Sequence, residues 1–394
     1  MCRVTAPTSR ARGAADACPG VARPFSAVDG SIVRLRPAGL PVSVRALSGL
    51  LDVVAGQPDP TVLLTSRAAL QLRGLPDPLT AETRAAVLAT GLVPAPSHEL
   101  VRNVVASPLS GLDGGGRCDV RPLTAALDDA VCAAPGLAHL GGRFLFALDD
   151  GRGDVIGGTF DLGFLATGPD RGVVLAGSQP GGWSVPLREA VRTVTALAEE
   201  FAERTKGSET AWHVDELADR LGPAPTCAIS PPPQPDRPLG AVGEHAVVAV
   251  PLGLLRREHV DALWRVAETV RVTPWRSLVV EHGSRHLPAL EAAGLATHAG
   301  SPWHRLHACT GLPGCSRSAI DTRALARDLA PLLPAGDFPV HVSGCERRCG
   351  KPAAAHVDVL SPPSLGAALD QIAAHSARES AHSTGSTEQE GSWT

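Results

Sequence analysis

The chain has 394 residues, 44% of them hydrophobic and 19% charged, with a formal net charge of −4. That length exceeds one ordinary core and suits two or three domains or one pseudo-symmetric body. Its mild acidity gives no reason to expect nucleic acid or a membrane surface as partner. There is no uninterrupted apolar run of the roughly 18 residues that a membrane span needs.

The opening MCRVTAPTSRARGAADACPG lacks the apolar stretch of a secretory signal, so a cytoplasmic location is expected. Residues 1–24 and the polar tail 376–394 read as disordered. Next, SIVRLRPAG alternates like a strand and places Arg34 and Arg36 on one face. VRALSGLLDVVAG has helical spacing with a Gly stop, and TVLLTSRAALQLRG reads as a strand. These make a first unit over 25–76, followed by a mixed α/β stretch over 80–221. Within that stretch, Asp149 and Asp150 before Gly151 predict a hairpin turn.

GPAPTCAISPPPQPDRPLG, 222–240, is too rich in Pro for a helix or a central strand and reads as a linker. After it the β-α-β order returns over 241–284 as HAVVAVPLG, REHVDALWRVAETV and VRVTPWRSLVVEHG. Thr65-Ser66-Arg67 is matched by Thr273-Pro274-Trp275-Arg276, and one duplication explains the recurrence. A second lobe follows over 285–375.

Of nine cysteines, five are scattered and four cluster: Cys309 and Cys315 as C-x5-C, then Cys345 and Cys349 as C-x3-C. An odd count in a large chain argues against a disulfide scaffold and for reduced thiols with one ligand set. Four soft ligands suit zinc or an iron–sulfur cluster, and the wide first gap leans toward the cluster. Gly311, Pro313 and Gly314 beside one pair, and Gly344 and Gly350 beside the other, let the backbone approach a bulky group. A helix over SRSAIDTRALARDLAPLLP, capped by Ser316 or Ser318, sets Cys315 at a helix N-terminus, where a thiolate is favoured. Arg347, Arg348 and Lys351 bring positive charge to the second pair.

With those residues in view, the chain resembles the sulfite and nitrite reductase superfamily over about residues 25–370. LLTSRAALQLRGL resembles a segment of that family in which Arg67 and Gln71 would face a tetrapyrrole. HELVRNVVASP resembles another, giving Arg102 and Asn103. The resemblance implies an α+β fold: a pseudo-two-fold duplicated sulfite/nitrite-reductase-like architecture with two ferredoxin-like half-domains and two larger mixed α/β lobes. It also implies that Cys309, Cys315, Cys345 and Cys349 hold a [4Fe–4S] cluster.

Two branches of the superfamily are distinguished by LGGRFLFALDDG. Siroheme reductases carry a Lys-x-Lys strand there; this chain has Arg143 and Leu145, and its only lysines are Lys206 and Lys351. The other branch, which RFLFALDDG and the ACPG opening at Ala17 also resemble, is implied to hydroxylate precorrin-3A. It uses O2 to hydroxylate C20 and closes a γ-lactone, in aerobic cobalamin biosynthesis.

A polycarboxylated substrate suits an arginine-rich face, because Arg grips carboxylates bidentately. Arg34, Arg36, Arg67, Arg73, Arg102 and Arg143 are the candidates, with Gln71 and Asn103 as amide donors. Electrons are expected from a reduced nicotinamide nucleotide through a partner reductase, since no G-x-G-x-x-G loop follows a strand. An additional iron would draw on His304, His307, His341 and His356. No catalytic acid or base is assigned. The competing readings are a siroheme-dependent sulfite or nitrite reductase, and a non-catalytic iron–sulfur or zinc-binding module.

Overall fold

In the computed structural model, which describes residues 16–207, 211–333, 338–352 and 355–385, one unit occurs twice. Its first copy runs β1 (Phe25–Ala27), β2 (Gly30–Leu35), β3 (Val42–Ser43), α1 (Val44–Val54), β4 (Val62–Leu64) and β5 (Leu70–Leu75), then α2 (Ala81–Ala89). Helix α1 starts where the Ser43 hydroxyl accepts from the Ala46 N–H, and it buries Leu47, Leu50, Leu51 and Val54 on one face.

The first lobe contains β6 (Val104–Ala106), α3 (Arg121–Ala133), β7 (Phe146–Asp149), β8 (Leu162–Gly168), β9 (Arg171–Ala176), β10 (Trp183–Pro186) and α4 (Leu187–Arg204). The second copy is β11 (Gly240–Val242), β12 (His245–Ala249), β13 (Leu254–Leu255), α5 (Arg257–Trp264), β14 (Thr269–Val272) and β15 (Ser277–Val280). After α6 (Leu287–Ala292), the second lobe runs β16 (Leu306–Ala308), α7 (Thr322–Leu329), β17 (Val340–Ser343), β18 (Val357–Leu360) and α8 (Leu365–Gly385).

The two half-domain sheets have matching orders, β1-β2-β5-β4-β13 and β11-β12-β15-β14-β3. Each copy lends its short strand to the other: Leu254 pairs with Leu63, and Val42 pairs with Val270. The copies therefore share one core, with Val33, Leu47 and Leu70 joined to Val248, Leu263 and Leu278. The lobes repeat as well. β6-β7-β8 and β16-β17-β18 are parallel, and α3 and α7 each connect the first two of those strands.

Several local expectations change. Each of the strands expected at TVLLTSRAALQLRG and VRVTPWRSLVVEHG is a hairpin, broken at Thr65–Ala69 and Thr273–Arg276. The Thr65 hydroxyl accepts from the Arg67 and Ala69 N–H groups, and Thr273 does the same for Trp275 and Ser277. Ala68 and Arg276 occupy the left-handed position of these turns, at φ of 52° and 59°. Arg276 is thus the counterpart of Ala68, one place from the match drawn in the sequence.

Residues 16–24 are ordered by the buried Glu99, whose carboxylate accepts from the Val21 and Ala22 N–H groups at 2.7 and 2.8 Å; residues 1–15 lie outside the described residues. At the other end α8 continues to Gly385, because Leu365, Leu369 and Ile372 pack on the β16–β18 sheet core; 386–394 lie outside the described residues.

Asp149 does not form a hairpin turn, since β7 and β8 are parallel. Its carboxylate instead gathers the N–H groups of Gly151, Gly153, Val155 and Ile156 at 2.8–3.1 Å. Asp150 is held by Arg152, and Asp154 accepts from the Ser107 hydroxyl at 2.6 Å. Burial first, with Asp149 and Asp150 adding, pushes the Asp154 carboxyl up to about 7. Because the folded state then holds this proton more tightly than the unfolded chain, the site stabilises the fold below about pH 4. That contribution is lost as pH rises to about 7. Asp154→Asn keeps an acceptor for Ser107 and removes the penalty. The variant is expected to gain stability at pH 8 by about 2–4 kcal/mol, with little gain at pH 3, in denaturant titrations at the two pH values.

Candidate functional site

Because β16 and β17 are parallel neighbours, the loops that leave their C-terminal ends emerge side by side. The first loop carries Cys309 and Cys315, the second Cys345 and Cys349. Cys309 N–H donates to the Val342 carbonyl at 3.0 Å, and the Gly344 N–H donates to the Cys309 sulfur at 3.4 Å. Ala319 N–H closes the gap by donating to the Gly344 carbonyl at 3.0 Å. A Cβ on Gly344 would stand 1.7 Å from the Ser318 hydroxyl, so only glycine lets the loops approach this closely.

All four thiols are free and at least partly exposed. Burial, and then the proximity of Cys309, Cys345 and Cys315, pushes the Cys349 thiol up, while Arg347 opposes the shift. Among the described residues, three of these sulfurs do not gather within 4.8 Å of one another, although three carboxylate oxygens elsewhere do. A donor set of four converging thiolates on Gly-bearing loops fits an iron–sulfur cluster.

The helix expected to begin at Ser316 or Ser318 begins later. Asp321 caps α7 by accepting from the Arg323 and Ala324 N–H groups at 3.1 and 2.9 Å, while the Ser318 hydroxyl donates to the Ile320 carbonyl. A carboxylate outcompetes a hydroxyl for orphan N–H groups, so Cys315 lies in the loop rather than at the helix terminus. Arg348 is paired with Glu346 and Asp358, which leaves Arg347 as the positive charge acting on Cys349.

A second constellation sits on the first half-domain sheet. Arg34 and Gln71 face each other across β2 and β5, and the guanidinium donates to the amide oxygen at 2.9 Å. Arg67 donates to the Arg143 carbonyl at 2.9 Å, and Arg143 itself is exposed. Burial lowers the affinity of Arg34 for its proton, and the nearby Arg67 and Arg143 add to that effect. The buried Arg34 Nε has no hydrogen-bond partner. Crowded guanidiniums with an unfilled donor invite an anion. Nearby, burial pushes the Asp161 carboxyl up to about 6, against the pull of His213 and Arg67.

Four of the arginine and amide candidates lie elsewhere. Arg102 is 4% exposed and clamps Asp128 through two bonds of 2.8 and 2.7 Å. Asn103 donates to the Phe144 carbonyl at 3.0 Å, also buried. Arg36 donates to the carbonyls of Pro19, Glu99 and Gly142, and burial presses its pKa down to about 10. Arg73 grips Asp29 and reaches the Gly314 carbonyl next to Cys315, at 2.7 Å. Arg102, Asn103 and Arg73 have their donors committed within the protein, whereas Arg36 is 3% exposed and its buried Nε, like that of Arg34, has no hydrogen-bond partner.

The histidines are brought partly together. His307, His341 and Asp358 stand in register across β16, β17 and β18. His307 Nδ1 faces an Arg276 nitrogen at 2.9 Å. Burial, reinforced by Arg276, holds His307 down at about 3 and His341 at about 4. A guanidinium directed at one ring opposes a cation there, and among the described residues no three ligand atoms that include these histidines gather within 4.8 Å. Arg276, Asp29 and Asp161 were not among the sequence candidates. The repeated Thr-based turn was the one signal that pointed near Arg276.

No protein-family model matches the chain. It is 29% identical to the ferredoxin–nitrite reductase of Synechococcus elongatus, over 84% of this chain and 76% of that one. It is 24% identical to a precorrin-3B synthase of a Sinorhizobium species, over 88% and 81%. Among solved structures, the Mycobacterium tuberculosis NirA protein superposes with a TM-score of 0.61 at 21% identity, covering 82% of this chain and 69% of that one. The interlocked duplicated α+β fold and these relatives place the chain in the sulfite/nitrite reductase-like superfamily. No helix among the described residues is long and apolar enough to cross a membrane.

Proposed function

We propose that this oxidoreductase is a precorrin-3A monooxygenase, a precorrin-3B synthase. The observation that carries the reading is Leu145, which takes the second basic position of the siroheme reductases' anion-binding strand. It is 6% exposed, within the shared core, and its N–H donates to Asp161. An apolar side chain turned into the core supplies no cation for a small oxyanion. Arg34, Arg67 and Arg143, with the buried Gln71 bonded to Arg34, instead offer a cluster of guanidiniums suited to the acetates and propionates of a tetrapyrrole.

Cys309, Cys315, Cys345 and Cys349 would hold the [4Fe–4S] cluster, which supplies single-electron transfer when bound. The reaction inserts one atom of O2 at C20 and releases the other as water. It consumes two electrons and two protons, and a partner reductase is the electron source in this reading. Arg34 and Arg67 fix the macrocycle through its carboxylates, and Gln71 orients Arg34. The exposed Arg143 closes the rim.

The test is anaerobic purification, then incubation with precorrin-3A, O2 and a reductant. The expected product is heavier by one oxygen atom. A siroheme absorption band together with nitrite or sulfite reduction would establish the alternative, which the 29% identity to a nitrite reductase favours. Arg67→Ala is expected to weaken substrate binding about 10- to 100-fold, measured as fluorescence quenching or by equilibrium dialysis, because one charged carboxylate contact is lost.

A further inference from the structure

We propose that Arg73 and Arg276, one from each copy of the duplicated unit, are positioning residues that latch the two cysteine loops onto the half-domain sheets, and that Arg276 also tunes the bound cluster's reduction potential. The inference rests on the cluster reading above.

The geometry is reciprocal. Arg73 lies on β5, in the first sheet. Its guanidinium meets Asp29 at 3.0 and 2.9 Å and donates to the Gly314 carbonyl at 2.7 Å, the residue before Cys315. Arg276 lies in the β14–β15 turn of the second sheet. It meets His307 Nδ1 at 2.9 Å and donates to the Gly350 carbonyl at 3.3 Å, the residue after Cys349. The first latch spans 241 residues of sequence and the second 74. Each cysteine loop is therefore fastened outside its own lobe.

The two latches differ electrically. Arg73 is matched by the Asp29 carboxylate, so its charge is compensated. Arg276 is bonded to an imidazole and a carbonyl, and neither carries negative charge. Burial disfavours its proton, and Arg237 nearby adds to that. A tetrathiolate cluster, which carries net negative charge, would compensate it. The turn itself asks only for a left-handed backbone, which Ala68 supplies in the first copy at φ 52°. An arginine at φ 59° is a strained choice. What it adds is the reach to Gly350 and a positive charge beside the cluster.

Cluster potentials respond to net charge, hydrogen bonding and solvent exposure. Removing a fixed positive neighbour disfavours the more negative, reduced form. Arg276→Met is therefore expected to shift the midpoint to a more negative value in a redox titration followed by electron paramagnetic resonance. Arg276→Lys, which keeps the charge, should restore it. Arg73→Met combined with Asp29→Asn, which removes the compensated pair together, should leave the potential in place but speed cluster loss to a chelator at least about tenfold.

The latch is read separately in the metal-free protein by hydrogen exchange. Arg73→Met should raise exchange at residues 310–316, and Arg276→Met at 344–351, each about tenfold or more, with the opposite loop unchanged. Unchanged exchange in both variants overturns the latch. An unchanged potential in Arg276→Met overturns the tuning. If wild-type protein takes up no iron and sulfide, the cluster reading fails, while the exchange experiment still judges the latch. Arg276→Gln serves in the same measurements if the Met variant does not fold.

Discussion

Replacing Cys345 with serine is expected to abolish the visible absorption of the iron–sulfur cluster and to lower turnover at least about 100-fold. A serine hydroxyl is hard and rarely ionised, whereas the cluster needs a soft thiolate. Cys345 leaves the end of β17 beside Cys309, whose sulfur accepts from the Gly344 N–H. The loop itself should survive, because Gly344 and Ala319 are joined through backbone bonds that do not involve the sulfur. Circular dichroism and the melting profile of the metal-free variant should therefore match the wild type. Full turnover with a bleached spectrum would remove the cluster from the reaction, and unaltered absorption would remove Cys345 from the ligand set.

Asp128→Ala is expected to cost about 3–5 kcal/mol of stability, because it strands the Arg102 guanidinium in the core. Arg102 is 4% exposed and Asp128 6%, and both bonds of the pair are shorter than 3 Å. Two further donations, to the Arg36 and Leu92 carbonyls, hold the guanidinium but supply no negative charge. The double variant Arg102→Met with Asp128→Leu removes both charges together. It should recover much of the loss in urea unfolding, since apolar groups of similar volume replace a buried pair at little cost. The same double variant separates two roles for Arg102. If the residue only braces β6 against α3, the refolded double variant binds substrate as the wild type does. If it grips a carboxylate, binding falls as in Arg67→Ala while stability recovers.

Strand alternation put Arg34 and Arg36 on one face, and in the structure Arg34 lies in β2 and Arg36 just beyond its end. It could not say that Arg36 would be covered by the segment at Pro19 and the loop at Gly142, leaving Arg34 at the edge. Arg73 shares a strand with Gln71, yet its guanidinium is claimed by Asp29 and a loop 241 residues away. Arg102 reads in sequence like any basic residue, and only the position of α3 gives it Asp128. Local rules likewise favoured a serine cap before α7, until Asp321 proved the better acceptor.

The sequence by itself singled out the four clustered cysteines and the repeated β-α-β order. These follow from side-chain chemistry and from periods of two and 3.6 residues, which neighbouring positions in the chain carry. Only the tertiary structure decided that β3 and β13 change places between the copies, that the two cysteine loops share one sheet edge, and which guanidiniums remain open to a ligand. Each of those outcomes depends on a partner tens to hundreds of residues away. Periodicity fixes the face on which a side chain lies, but not what packs against that face.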